Sequence, residues 1–128
     1  MLEDSPPGTS FALNLSGLDR PEVTVFELRA DGMLLGIGAL VELSSKVGEI
    51  KSMRTDDFAQ RRGVGQAVLD AIVGTARERG YTSILLETGT GRKFESAIRL
   101  YLRNGFTRRG AFGIYSETDF NVFYEKQL

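Results

Sequence analysis

The sequence predicts an α/β domain built on a mixed, mostly antiparallel sheet with flanking helices, and three observations predict it. Asp31-Gly32 joins two runs of alternating apolar residues, and Ser44-Ser45-Lys46 turns the chain into a third, so three strands run as an antiparallel meander. The third run leads through a short loop and Gly63-Val64-Gly65 into an amphipathic helix, and then into the apolar run Thr82 to Glu87. A strand, a crossover helix and a second strand make a right-handed βαβ unit with parallel strands. Finally, Asn121 to Gln127 is a last strand able to pair back on the one before it.

Taken in order, Met1 to Gly17 is a polar tail with Pro6-Pro7-Gly8 and then Phe11, Leu13 and Leu15, in which no firm element is placed; residues 1–20 read as an irregular segment. Asp19-Arg20-Pro21 is a turn before the strand from Val23 to Ala30. Met33 to Leu43 is its hairpin partner, and Gly36 and Gly38 within it suggest a bulge or a close approach by another backbone. Gly48 to Arg54 is the third strand, whose alternation places Glu49, Lys51 and Met53 on one face and Ile50 and Ser52 on the other. The helix after Gly65 carries Val64, Val68, Ala71, Ile72 and Thr75 on one side, widened by Leu69, Val73 and Ala76, and stops at Gly80. A second helix, roughly Phe94 to Asn104, ends at Asn104-Gly105, and Phe106 starts a strand. Gly110 to Asp119 is a loop carrying Phe112, Tyr115, Glu117 and Asp119. No repeat or linker divides the chain, so residues 1–128 are expected to be one domain.

Composition removes more chemistry than any motif adds. With no cysteine and no histidine there is no thiolate nucleophile, acyl-cysteine intermediate, Cys/His zinc site or histidine base, and no metal is expected. An acid or base must be a carboxylate, tyrosine, lysine or water. The 16 basic and 17 acidic residues give a net charge of −1, which provides no general attraction to nucleic acid. The basic pairs are local (Arg61-Arg62, Arg92-Lys93, Arg108-Arg109) and suit a small polyanion better than a duplex. No run approaches a membrane span and the N-terminus lacks a signal-peptide pattern, so a cytoplasmic protein without membrane partners is expected.

The stretch from Gly48 to Gln66 concentrates the functional signals. A glycine turn opening a helix leaves backbone N–H groups free at the positive end of the helix dipole, which is an anion site that needs little from side chains. Gly63-Val64-Gly65 alone is weak: a third glycine for a dinucleotide fold would fall at Val68, and no Gly-Lys-Ser/Thr follows. The order of features adds weight. Gln60-Arg61-Arg62-Gly63-Val64-Gly65 and, further on, Leu100-Tyr101-Leu102-Arg103-Asn104-Gly105-Phe106 together resemble the acetyl-CoA loop and the Leu-Tyr-x-x-x-Gly-Phe helix end of the GNAT superfamily of N-acetyltransferases. The resemblance covers roughly Val23 to Leu128 and is similar to an uncharacterised bacterial subgroup.

That resemblance implies central parallel strands splayed around acetyl-CoA, whose acetyl group passes directly to an amine in a ternary complex. Arg61, Arg62, Gly63, Val64, Gly65 and Gln66 would bind the pyrophosphate through backbone N–H groups. Met53, Arg54 and Thr55 would offer main-chain hydrogen bonds to the pantetheine arm. Tyr101 matches the tyrosine that protonates the departing thiolate, and Glu49, eleven residues before Gln60, stands where some members place a glutamate base. Glu87 is the next candidate base. Glu87, Tyr115, Glu117 and Asp119 are candidates for contact with a cationic acceptor, whether a small molecule or a peptide amine.

Two departures accompany it. Phe94 stands where many members carry an asparagine contacting the cofactor, three residues before Ala97. The opening strand and first helix look shortened or missing: either the domain is a shortened form, or the chain start is truncated, or a second subunit fills the gap, and a homodimer could cover an exposed sheet edge. These departures motivate the alternative of a non-catalytic acyl-CoA-binding or regulatory module.

Overall fold

The computed structural model describes residues 10–13, 22–55 and 63–128. Its first strand, β1 (Ser10–Leu13), pairs antiparallel with β2 (Val23–Ala30), from Ser10 opposite Arg29 to Leu13 opposite Phe26. This corrects the expectation that the opening strand is missing and that residues 1–20 hold no element. Four residues are too short for alternation to stand out, and β1 is specified by the partner it pairs with. The β2 edge that a second subunit was expected to cover is thus paired along Phe26 to Arg29. The expected absence of a first helix falls on residues outside those described.

β2 turns into β3 (Met33–Glu42) through Asp31 and Gly32, with φ of 53° and 80°, the left-handed pair that a two-residue hairpin demands. β4 (Val47–Thr55) completes the meander beside β3. Helix α1 (Val64–Glu78) follows and buries Val64, Val68, Leu69, Ile72, Val73 and Ala76 against Phe26, Leu28, Leu40 and Ile50. Each such side chain contributes about 1.5–3 kcal/mol on burial. The two strand glycines explain how closely α1 can lie. A Cβ on Gly36 would stand 2.6 Å from Val64, and one on Gly38 would stand 2.7 Å from the Met53 sulfur and 2.9 Å from Ile72.

Gly80, at φ +84°, ends the helix, and the Tyr81 N–H returns to the Ala76 carbonyl at 3.0 Å. β5 (Ser83–Gly89) then runs parallel to β4. A 3-10 turn (Arg92–Phe94) leads into α2 (Glu95–Arg103), followed by β6 (Thr107–Arg109) and β7 (Asn121–Gln127). The seven strands among the described residues form one sheet in the order β1-β2-β3-β4-β5-β7-β6, antiparallel except for β4–β5. α1 and the buried part of α2 share one face of this sheet. On the opposite face lie Val23, Val25 and Ala39, and separately Leu85, Phe112 and Phe123 under the loop between β6 and β7. Among the described residues no helix is long and apolar enough to cross a membrane.

Candidate active site

β4 and β5 pair from Val47–Ser83 to Ile50–Leu86 and then part. Beyond that point β4 stays with β3, Arg54 opposite Ile37 and Thr55 opposite Gly36. β5 stays with β7, from Glu87 opposite Phe123 to Gly89 opposite Asn121. The inner edges of both strands therefore carry main-chain donors and acceptors with no strand partner among the described residues, facing each other across a wedge. An extended, amide-bearing molecule can satisfy such edges as an added strand does.

A bulge sets the wedge. Between the pairs Ala39–Lys51 and Ile37–Arg54 two residues of β4, Ser52 and Met53, oppose Gly38, and Ser52 takes φ 59°. The bulge reverses the alternation, so the expected grouping of Met53 with Glu49 and Lys51 is corrected. Glu49 and Lys51 lie on the face away from α1, whereas Met53 turns toward α1 and packs against the core at Gly38. Arg54 is exposed and Thr55 is half-buried beside the first turn of α1, its hydroxyl 3.4 Å from where a Gly65 Cβ would stand.

That first turn is open. Gly63 precedes α1 at φ 80° and ψ 7°, no side chain caps the helix and no acidic residue lies in its first turn. The Ala67 N–H already bonds the Gly63 carbonyl at 3.0 Å, which leaves the N–H groups of Val64, Gly65 and Gln66 as the helix's own orphan donors. Gly65 is needed for closeness as well, since a Cβ there would meet Leu100 at 3.3 Å. The Gln66 side chain has a different job. Its amide exchanges hydrogen bonds with Asn104 at 2.8 and 2.9 Å and donates to Asp70 at 2.8 Å, tying the start of α1 to the end of α2. Asn104 is held in turn by Lys126, which donates to its carbonyl at 2.7 Å. Arg61 and Arg62 lie outside the described residues.

Tyr101 projects from α2 into the α1-side core, with its ring centroid 5.5 Å from that of Phe106. The Phe106 N–H binds the Tyr101 carbonyl at 3.1 Å after Gly105 turns the chain at φ 89°. The Leu-Tyr-x-x-x-Gly-Phe pattern is therefore a helix stop that folds an aromatic back onto the tyrosine. Burial pushes the Tyr101 phenol up to about 12. No described residue hydrogen-bonds its hydroxyl.

On the other face, Glu49 is only 4% exposed and accepts a hydrogen bond from the Tyr115 hydroxyl at 2.6 Å. Tyr115 arrives on the β6–β7 loop, 66 residues away in sequence. Burial, the bond to Glu49 and the charges of Glu49 and Glu87 all raise its pKa. Glu87 lies on the same face and accepts from the Asn121 side chain at 3.0 Å. Lys51 stands 5.7 Å from the centre of the Tyr115 ring. Glu117 instead closes its own loop, accepting from the Ala111 N–H at 3.1 Å, and Asp119 is exposed with its carbonyl bonded by Thr90 at 3.1 Å.

The structure thus gathers Glu49, Glu87, Tyr115 and Lys51 on one face, and Met53, Gly65, Gln66 and Tyr101 on the other. No hydrogen bond joins Glu49 to Tyr101, and among the described residues Glu117 and Asp119 share no hydrogen bond or ion pair with either group. Three features escaped the sequence reading. The Ser52 bulge has no glycine on its own strand to announce it, although Gly38, flagged in the sequence, lies opposite it, and the Glu49–Tyr115 bond depends on a long-range loop. Phe94 lies across Gly89, where a Cβ would fall 2.3 Å from its ring; Gly89 in a strand end was the available signal. Among the described residues no cluster of three or more acidic, histidine or cysteine side chains could hold a metal.

Residues 3–106 match the family model described as the acetyltransferase (GNAT) family. The chain is 43% identical over 124 residues to the uncharacterized N-acetyltransferase YsnE of Bacillus subtilis, covering 97% of this chain and 82% of that protein. A Klebsiella pneumoniae structure assigned as an acyl-CoA N-acyltransferase superposes with a TM-score of 0.80 at 35% identity, covering 91% of this chain and 79% of that one. A GNAT family acetyltransferase from Elizabethkingia anophelis with acetyl-CoA bound shares the fold, with a TM-score of 0.74 at 14% identity, covering 94% of this chain and 99% of that one.

Proposed function

Since the chain belongs to the GNAT acetyltransferase family, we propose that it transfers acetyl from acetyl-CoA directly to an amine, with Glu49 as base and Tyr101 as the group that receives the departing sulfur. The observation that carries this reading is the parting of β4 and β5 after Ile50–Leu86, beside the uncapped start of α1. The pantetheine amides would bond the free edge at Met53, Arg54 and Thr55. The pyrophosphate would take the N–H of Gly63 and the orphan N–H groups of Val64, Gly65 and Gln66, with Arg61 and Arg62, which precede Gly63 in sequence, adding charge. The acceptor would approach from the opposite face, where Glu49 and Glu87 favour an ammonium group.

In the transfer, the ammonium first gives a proton to Glu49 directly or through water, the freed amine nitrogen then bonds the thioester carbonyl carbon as the C–S bond breaks, and the second proton that nitrogen loses balances the one the sulfur takes up through Tyr101. The role of Tyr101 follows from magnitude. A phenol near 12 facing a thiol of ordinary acidity near 8.5 would give up its proton uphill by about 5 kcal/mol. Tyr101 therefore acts by donating a strong hydrogen bond to the developing thiolate, and completes the proton transfer as the sulfur's own basicity rises in the same dry surroundings.

A panel of primary amines assayed with acetyl-CoA by free-thiol release and product mass tests the reading; release of CoA with no acetylated amine across the panel would count against it. Phe94 lying over Gly89 favours the second reading, a module that binds acyl-CoA without transferring it. Calorimetric binding of CoA together with absent turnover would select that one.

A further inference from the structure

The Tyr115–Glu49 hydrogen bond is built from several sides. At 2.6 Å it is a short hydrogen bond from a hydroxyl to a carboxylate oxygen. The Tyr115 ring is wedged between Phe112 and Phe123, with centroids at 5.1 and 5.9 Å, and those two rings lie 5.7 Å from each other. This triangle fixes the ring before any ligand arrives, so the hydroxyl reaches Glu49 with little freedom left to lose. The bond engages Oε2, while Oε1 of the same carboxylate has no hydrogen-bond partner among the described residues.

The charged groups facing this pair are few. Lys51 lies on Glu49's own strand and over the Tyr115 ring at 5.7 Å. Glu87 on β5 is held by Asn121. Glu125 on β7 is neutralised by Arg109 at 2.9 Å, whose guanidinium also covers Phe112 at 5.6 Å. On β3, Val41 is the residue opposite Glu49. Tyr115 is thus the direct donor to this carboxylate, and a hydrogen bond to the ionised form favours that form.

We propose that Tyr115 is the positioning residue of the Glu49 base: it clamps Oε2 and turns Oε1 toward the acceptor's proton. The role rests on Glu49 being the base, and it differs from direct substrate contact. Tyr115 need not touch the amine, and its hydroxyl remains a donor throughout the working range because burial and the adjacent acids raise its pKa.

The test uses the full chain labelled with carboxyl-¹³C glutamate, with the Glu49 resonance assigned by its loss in Glu49→Gln. Tyr115→Phe keeps the ring in its triangle and removes only the oxygen, and matching circular dichroism and melting would show that it folds. The Glu49 titration midpoint is expected to move upward in Tyr115→Phe, because the variant loses the hydrogen bond that Oε2 accepts. The acid limb of kcat/KM, measured with acetyl-CoA and the active amine from the panel, should rise equally. An unmoved midpoint would overturn the proposal while leaving the base reading intact, provided that Glu49→Gln abolishes the limb. A midpoint that moves without the limb, or a limb that survives Glu49→Gln, would remove Glu49 as the base and the positioning role with it.

Discussion

The two faces of the sheet at the β4–β5 wedge are made by different means. On the helix side the groups offered at the wedge are backbone: parted strand edges, the open first turn of α1, and glycines at 36, 38, 63 and 65 that allow close approach or a left-handed turn. On the far side they are side chains: Glu49 and Glu87 from adjacent strands, and Tyr115 from a distant loop. Main-chain recognition needs geometry and tolerates many residue types, whereas side-chain recognition needs particular functional groups. The first suits a cofactor common to a whole family, the second an acceptor that varies among its members.

The sharpest way to break the comparison is Glu49→Gln. It should lower kcat/KM by about 10²–10⁴-fold while CoA binding by calorimetry stays unchanged; a matching loss of CoA affinity would mean that the two faces are not separable. The reverse experiment is Gly38→Val, which drives a side chain into Met53 and Ile72 at under 3 Å. Overpacking of this kind costs about 1–3 kcal/mol, and a melt lowered by several degrees is expected. A melt equal to the wild type would show that α1 is free to move outward.

Tyr101→Phe probes the helix side through pH. The folded phenol sits near 12 against 10.0 in the open chain, so the folded state holds its proton where the unfolded state has lost it. Tyr101 then contributes stability that is full below pH 10 and is lost between about pH 10 and 12, up to about 3 kcal/mol. Urea unfolding across that range should fall less steeply in Tyr101→Phe, although Tyr115, also raised, retains its share. Equal slopes would place the Tyr101 hydroxyl in water. The smallest effect is expected from Asn104→Ala, which removes the amide pair with Gln66. A loss of about 1–2 kcal/mol with kcat unchanged would mark it as structural; a fall in CoA affinity larger than the loss of stability would show that it sets the aim of the α1 turn.

The same division governs what could be read from sequence. Asp31-Gly32, Gly63-Val64-Gly65, Gly80 and Asn104-Gly105 each announce a backbone conformation, and β2, β3, β4, α1, β5, α2 and β7 fall within a few residues of where those signals put them. The helix-side residues followed from the same signals. β1 was missed because four residues owe their state to pairing, and Met53 was turned the wrong way because a serine, without glycine's usual warning, takes the positive φ of the bulge. Tyr115 was visible as a candidate, but its bond to Glu49 spans 66 residues and has no local signature.

The bulge at Ser52 acts like a one-letter insertion in a reading frame. Upstream of it β4 addresses one side of the sheet with its odd-numbered residues, and downstream the parity is inverted. The two halves of one strand are thereby out of phase, and each can change without forcing the other to follow. Deleting Ser52 would place Met53 directly after Lys51, still facing α1 opposite Gly38, but in one continuous register that couples halves that can now vary separately. A chimera joined at that residue is the natural place to exchange acceptor preference between relatives while keeping the same donor grip.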